Sequence, residues 1–258
     1  TGCIVTLEKG VQVIGNTAKN DGGGVYAWQA TINITGCTIT GNKAEENGGG
    51  VDVNGGKFTM TGGEIKNNHA KNGGGVYIYG STFEMTGGSV SFNEAKDVPQ
   101  ASGGGVYVGI NSTFKMYGGT ITNNTITGGN PRGKGVYVAG GDGTPAMLDA
   151  DFIMGGEACV GEWENGTLQD GNDVYLGRND LSSYPVKIQI DNDNPITKSK
   201  VACITPESYG VDQTVLMMSD GSTDVGAYND RFTVTPEDLG SGDTQNWKVG
   251  KKGLLEKQ

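Results

Sequence analysis

Seven aromatic side chains fall at positions that the sequence pattern predicts to face outward from short strands. They are Tyr26, Trp28, Tyr77, Tyr79, Tyr107, Tyr137 and Tyr175. Flat rings on a rigid surface suit stacking against sugars or against a partner protein, so these seven are the candidate ligand-binding residues. Tyrosine also favours exposed strand positions and can stack on itself, and that purely structural explanation stays open. Asp52 interrupts the series, which argues against an extended polysaccharide groove.

The side chains needed for hydrolysis or elimination do not recur in the same way. Enzymes that cleave polysaccharides need two or three carboxylates that project together onto one face. Among the outward positions of the first strand Asp52 is the one acid, and no acid in the repeats lies above another. A catalytic arrangement with histidine would depend on His69 alone. We therefore predict no catalytic residue and no enzyme.

No metal ion or other cofactor is expected either. The four cysteines include no Cys-x-x-Cys pair. Buried free thiols are the favoured interpretation, although a disulfide between Cys3 and Cys37 is open in an oxidising compartment. Acidic residues crowd between 149 and 173 and again at 191 and 193, but neither stretch matches an EF-hand loop or a nonapeptide calcium repeat. A solvated acidic loop is favoured there, and a calcium site stays open.

The elements that must position these side chains come from an internal repeat. A glycine triplet followed by valine occurs four times, with the valines at Val25, Val51, Val76 and Val106. Apolar columns follow each valine at fixed distances, and an asparagine column ends each repeat. The apolar columns are Ile32, Phe58, Phe83 and Phe114; Ile34, Met60, Met85 and Met116; and Ile39, Ile65, Val90 and Ile121. The asparagines are Asn16, Asn42, Asn68, Asn93 and Asn124.

This pattern predicts an all-β protein. Apolar and polar residues alternate with a period of two, which is typical of strands with one buried face, and 47 glycines among 258 residues disfavour helices. Like residues at like positions are explained when each repeat is one coil of a right-handed parallel β-helix with three short strands, so that like stacks on like about 4.8 Å apart. The asparagines would then form a ladder at a turn, and segments of variable length would emerge along one edge.

The paired motifs Gly-Gly-Gly-Val and Ile-x-x-Asn resemble the Gly-Gly-Ala-Ile and Phe-x-x-Asn motifs of the polymorphic outer-membrane proteins. The resemblance covers residues 10 to about 140. It departs from that family's motifs in the third glycine and in Ile or Val before the asparagine. It implies a β-helical adhesin passenger, or more broadly a right-handed β-helix repeat protein of bacterial surfaces.

The repeat weakens after Val136, and this sets the predicted organisation. Residues 1–177 are predicted to be β-helix repeats with an insertion at 157–173. Residues 178–258 are predicted to continue or cap the same solenoid with further strands. Because the chain starts in strand-like sequence, we expect it to be a fragment of a longer exported protein.

Charge limits the partners. Residues 1–139 carry 10 Lys plus Arg against 9 Asp plus Glu, whereas residues 140–258 carry 9 against 20, which gives the net charge of −10. An acidic chain without a basic stripe is a poor nucleic-acid binder, and no apolar run of about 20 residues predicts membrane insertion.

We therefore expect a non-catalytic segment of a secreted or cell-surface bacterial adhesin-like protein that binds a glycan or a host or bacterial surface protein. A carbohydrate-active enzyme of the β-helix type, or its binding module, is the first alternative. A structural spacer is the second.

Overall fold

The computed structural model describes residues 2–96, 101–141, 144, 147–177 and 186–258. The described residues form three sheets of parallel strands, of which two continue into the C-terminal part and the third ends at Thr127, together with three antiparallel hairpins and one 3-10 helix at Asn229–Arg231. The architecture is the predicted parallel β-helix, of about eight turns.

Sheet 1 consists of the strands that follow the four glycine triplets and of the equivalent strands in the later coils. In the order in which they stack, its eight strands are Val25–Trp28, Val51–Asn54, Val76–Tyr79, Val106–Val108, Val136–Val138, Val174–Leu176, Ala202–Pro206 and Phe232–Val234. Each pairs in parallel with the next, and the register places valine on valine, as in Val51 on Val76 and Val76 on Val106.

Sheet 2 combines the second and third strands of the coils. Its twelve strands are Ile4–Leu7, Gln12–Ile14, Thr31–Thr40, Lys57–Lys66, Thr82–Met85, Ser89–Ser91, Thr113–Met116, Thr120–Thr122, Asp151–Met154, Cys159–Val160, Ile188–Ile190 and Leu216–Met218. In two coils the second and third strands form one continuous ten-residue strand. In later coils glycines at positive φ separate them, such as Gly88 at +86° and Gly119 at +82°.

Sheet 3 adds a short strand to the coil that the sequence pattern did not indicate. Its five strands are Thr17–Ala18, Lys43–Ala44, His69–Ala70, Glu94–Lys96 and Thr125–Thr127. The segments predicted to be variable edge loops therefore begin as strands. Their alanines Ala44, Ala70 and Ala95 are buried.

The core lies inside the coils and is built from the predicted columns. Phe58, Phe83, Phe114 and Phe152 are fully buried and stack with ring centroids 4.3, 4.5 and 5.0 Å apart. Burial of each such ring contributes about 1.5–3 kcal/mol. The stacked rings and the methionine and valine columns beside them hold the coils in register.

The asparagine ladder runs through six coils at the turn after the third strand. Its members are Asn16, Asn42, Asn68, Asn93, Asn124 and Asn172. In each step the side-chain Nδ2 donates to Oδ1 of the next asparagine at 2.9–3.1 Å. The left-handed residue is the one before the ladder position, as at Asn67 with φ of +53°, and the ladder asparagines themselves are not at positive φ.

The close approach of the next coil requires glycine in the triplets. The first glycine is left-handed, as at Gly48 with φ of +61°. A Cβ on the second, Gly49, would collide with the carbonyl oxygen of Gly74 one coil away. The backbones therefore approach more closely than any side chain allows.

The C-terminal part continues the solenoid. Strands at Ile188–Ile190, Ala202–Pro206, Leu216–Met218 and Phe232–Val234 extend sheets 1 and 2 in parallel, and the hairpins Glu237–Gly240 with Asp243–Gln245 and Trp247–Val249 with Leu255–Lys257 follow them.

The predicted insertion at 157–173 is shorter than expected. Cys159–Val160 is the third strand of its coil, with Val160 on Ile121, and Asn172 is a member of the ladder. The added residues form the hairpin Trp163–Glu164 with Thr167–Leu168 between them.

Candidate functional site

All seven predicted aromatic residues lie on sheet 1, and the register sorts them into two columns. One column runs Tyr26, Asp52, Tyr77, Tyr107, Tyr137 and Tyr175. The other runs Trp28, Asn54 and Tyr79. The alternation places both columns on the outer face, because the residues between them, such as Val53 and Ile78, are fully buried.

The four tyrosines from Tyr77 to Tyr175 form one continuous stack. Their ring centroids are 4.8, 4.8 and 5.8 Å apart in successive pairs. Each ring is half-buried, and desolvation raises the pKa of all four phenols, that of Tyr77 to about 12. Inside this stack each ring face contacts a neighbouring tyrosine, so self-stacking accounts for Tyr107 and Tyr137. Tyr77 ends the stack, and no described aromatic ring stacks on its face toward Asp52.

An ion pair lies beside the far end of the stack. The Arg132 guanidinium donates to Oε1 of Glu207 at 2.7 Å and lies 5.7 Å from the ring centroid of Tyr175. Both side chains of this salt bridge are half-buried, so the end of the stack at Tyr175 is polar. The sequence did not indicate that Arg132 and Glu207 interact, because 75 residues separate them.

The other end of the face carries the exposed rings. Tyr26 is 50% exposed, Trp28 60% and Tyr79 37%. Asn54 lies between Trp28 and Tyr79, so the two rings are two strand spacings apart, about 9–10 Å. We call the six residues Tyr26, Trp28, Asp52, Asn54, Tyr77 and Tyr79 the aromatic patch. Its exposed rings are Tyr26, Trp28 and Tyr79. The amide of Asn54 lies between Trp28 and Tyr79, and the buried carboxyl group of Asp52 lies between Tyr26 and Tyr77.

Asp52 is the unusual member of the patch. Its side chain follows the outward direction of Tyr26 and Tyr77, yet the residue is only 2% exposed. No hydrogen bond reaches its carboxyl group from any residue that the structure describes. Burial, and second the nearby charge of Asp21, raise the pKa of Asp52 to about 7.

Asp21 is held by a second ladder that sequence reasoning missed. The backbone N and Nδ2 of Asn47 donate to Oδ1 of Asp21 at 3.1 and 3.0 Å, and Nδ2 of Asn72 donates to Oδ1 of Asn47 at 3.1 Å. Isolated parallel bridges continue through Ser102 to Arg132. The signal was present in the sequence, since each of these residues directly precedes a Gly-x-Gly or glycine triplet.

The remaining candidates for chemistry are dispersed. His69 lies in sheet 3 with Nδ1 3.1 Å from Oε2 of Glu94. Cys37, Cys159 and Cys203 are buried free thiols, and Cys3 is exposed and free. In the acidic stretch, Asp170 accepts the backbone N–H of Asn123 at 2.7 Å. Across the described part of the chain no three His, Cys, Asp or Glu side chains are grouped so as to hold a metal ion.

The described residues contain no helix with the length and apolar character needed to cross a membrane.

Comparison with known proteins agrees with this architecture. A family model described as "Right handed beta helix region" matches residues 1–167, more than half of the 258 residues. Neither the curated proteins nor the solved structures gave a match. The matched part contains the first five of the eight strands of sheet 1, and with them the whole aromatic patch. The chain belongs to the right-handed β-helix family.

Proposed function

We propose that this β-helix is a non-catalytic segment of a secreted or cell-surface bacterial adhesin-like protein, and that it binds a glycan through the aromatic patch. The observation that carries the proposal is the pair of exposed rings, Trp28 and Tyr79, held two strand spacings apart with Asn54 between them. The resemblance of the repeats to those of adhesin passengers supports the cell-surface setting.

Sugar rings have apolar C–H faces and polar edges, and the patch offers a matching surface. Exposed aromatic rings bury apolar area on contact, and an amide between them can donate and accept hydrogen bonds with hydroxyl groups. The strand that carries Tyr79 pairs in parallel on both sides, and the strand that carries Trp28 is the edge strand of sheet 1 and pairs with Val51–Asn54. The paired backbones lose little freedom when a ligand binds. A surface protein that presents a similar face is the other partner that this patch suits.

The test uses the two exposed rings as a pair. Replacing Trp28 and Tyr79 together by Ala removes open ring faces without disturbing the tyrosine stack or the core. We expect the glycans retained by the wild-type chain on a glycan array to be lost with Trp28→Ala/Tyr79→Ala. The melting temperature should stay nearly unchanged, because both side chains are exposed.

The matched control is Phe92→Ala. Phe92 is 58% exposed but lies at the turn before the asparagine ladder and outside sheet 1. This variant should keep glycan binding. Retention by the double variant, or equal loss in the control, would refute the assignment of binding to the patch.

A carbohydrate-active enzyme is a second candidate function, because the carboxyl group of Asp52 in the patch interacts with that of Asp21. Asp52 has a pKa raised to about 7, whereas Asp21 accepts two hydrogen bonds from Asn47. Carboxyl groups in unlike environments are a feature of general acid and base pairs. Release of reducing ends or unsaturated sugars from a polysaccharide panel, abolished by Asp52→Asn, would establish this alternative. A chain that shows neither binding nor turnover would be a spacer.

A further inference from the structure

Asp52 is a buried acid without a partner. It is 2% exposed, and within the described residues no cation or hydrogen-bond donor contacts its carboxyl group. The titratable groups that act on it are Asp21, whose charge opposes its ionisation, and the phenols of Tyr26 and Tyr77, whose own pKa values its charge raises. An uncompensated carboxylate in such a site is costly, and a bound cation would relieve that cost.

The surroundings select the kind of cation. Asp21 and Asp52 are the two carboxyl groups that interact here, and the described residues contain no group of three His, Cys, Asp or Glu side chains that could hold a metal ion. Aromatic rings occupy both sides of Asp52 in its column, and their faces attract organic ammonium groups. The backbones of the strands that carry Tyr26 and Tyr77 lie two strand spacings apart, about 9–10 Å, with the short Asp52 side chain between them.

We propose that the aromatic patch recognises the free amino group of an amino sugar, with Asp52 as its counter-ion and the rings of Tyr26 and Tyr77 on either side. This inference rests on the proposed glycan-binding function and narrows its ligand to glycans that carry unacetylated amino groups. The sugar that bears the ammonium packs on Tyr26, and its neighbours extend across Trp28 and Tyr79.

The two rings that flank Asp52 differ in their contacts. Tyr26 is half exposed and has no stacked neighbour among the described aromatic residues, whereas Tyr77 is stacked on Tyr107. The ammonium group therefore reaches Asp52 on the side of Tyr26, the less constrained ring. Its hydroxyl and that of Tyr77 remain protonated at neutral pH, because the pKa of each is raised above 10.

The experiment compares two probes of equal length by isothermal titration at pH 7, an oligomer of glucosamine and the same oligomer fully N-acetylated. We expect the wild-type chain to bind the glucosamine oligomer at least tenfold more tightly. Asp52→Asn should abolish this preference, whereas Glu84→Gln, which removes a half-exposed carboxylate from sheet 2, should preserve it. Added salt should weaken the preference.

A second measurement does not depend on any variant. The carboxyl carbon of Asp52, followed by NMR as a function of pH, should titrate at lower pH when the glucosamine oligomer is bound. An unchanged titration, or an unchanged preference in Asp52→Asn, would overturn the inference.

The outcomes separate this inference from the function on which it rests. If both oligomers bind equally and Trp28→Ala/Tyr79→Ala abolishes binding of both, the patch binds glycans but does not select the amino group. If oligolysine binds as tightly as the glucosamine oligomer and with the same dependence on Asp52, the amino group is recognised on a peptide and the sugar assignment is wrong.

Discussion

Asp52 couples the chemistry of the patch to the stability of the coil. In the folded chain its pKa is about 7, against 3.8 for an ordinary aspartate, so the folded state holds the proton more tightly than the unfolded state does. The favourable contribution of the protonated acid is complete below about pH 4. It is lost as the pH rises to about 7, and it stays lost above that value.

Asp52→Asn removes this pH dependence. We expect the variant to be more stable than the wild-type chain at pH 8, by an amount on the order of a few kcal/mol. The gain should shrink as the pH falls and vanish near pH 4, where both chains are neutral at this position. Urea denaturation at intervals of one pH unit measures it. A gain that is independent of pH, or largest at pH 4, would contradict the assigned environment of Asp52.

The ladder asparagines are a second place where a single residue contributes strongly to stability. Asn68 accepts from the backbone N and from Nδ2 of Asn42 at 3.0 Å, and its own Nδ2 donates to Asn93 and to the carbonyl of Ile39. Asn68→Ala leaves buried donors and an acceptor unpaired and should destabilise the chain by roughly 1–3 kcal/mol.

The neighbouring Asn67 is the matched control, because it is exposed and left-handed. Asn67→Gly should be neutral or slightly stabilising, since glycine adopts positive φ without strain. Chemical denaturation of both variants makes the comparison. Equal destabilisation at the two positions would show that the ladder bonds do not support the turn.

At the scale of the elements, the apolar columns predicted from the sequence spacing are the columns that stack inside the coils. Phe83 lies on Phe58 and Phe114 as the spacing predicts, because a side chain that faces inward in one coil must meet the equivalent residue in the next. The short strands of sheet 3 could not be predicted in the same way. Pairs such as Lys43–Ala44 are too short to show alternation, and only the buried alanines mark them.

For the aromatic residues, the sequence predicted the direction of the side chains but not which rings are exposed. The outward phase of all seven followed from the alternation of residues. Their division into a self-stacked run and an exposed patch did not, because the division depends on Asp52 separating Tyr26 from Tyr77 and on which ring faces remain open. The raised pKa of Asp52 results from its burial and from the charge of Asp21, and only the folded coil brings Asp21 beside it.

The central stack provides the test at this scale. Phe83→Ala removes one ring from a closed column and should cost about 3–5 kcal/mol. Glu84→Ala changes the next residue, which faces outward and contributes a long ion pair with Lys57 at 3.8 Å, and should cost less than about 0.5 kcal/mol. The free energies of unfolding of the two variants check the register of sheet 2. Similar losses would show that the register is wrong.

At the scale of the whole molecule, the exposed patch, the tyrosine stack and most of the acidic residues lie at different positions along the solenoid. The patch lies in coils near the N-terminal end, and the tyrosine stack runs from it along the same face to the Arg132–Glu207 pair. Most of the negative charge lies beyond residue 140. Because each coil contacts only its neighbours, local changes in the patch leave the distant coils intact.

The most direct test of glycan binding by the patch is a titration of one ligand against two chains. The best ligand from the glycan array is titrated calorimetrically into the wild-type chain and into Trp28→Ala/Tyr79→Ala, and the melting temperatures of both are recorded. The patch predicts at least a tenfold loss of affinity in the variant with an almost unchanged melting temperature. Undiminished affinity in a variant that lacks both exposed rings would contradict it.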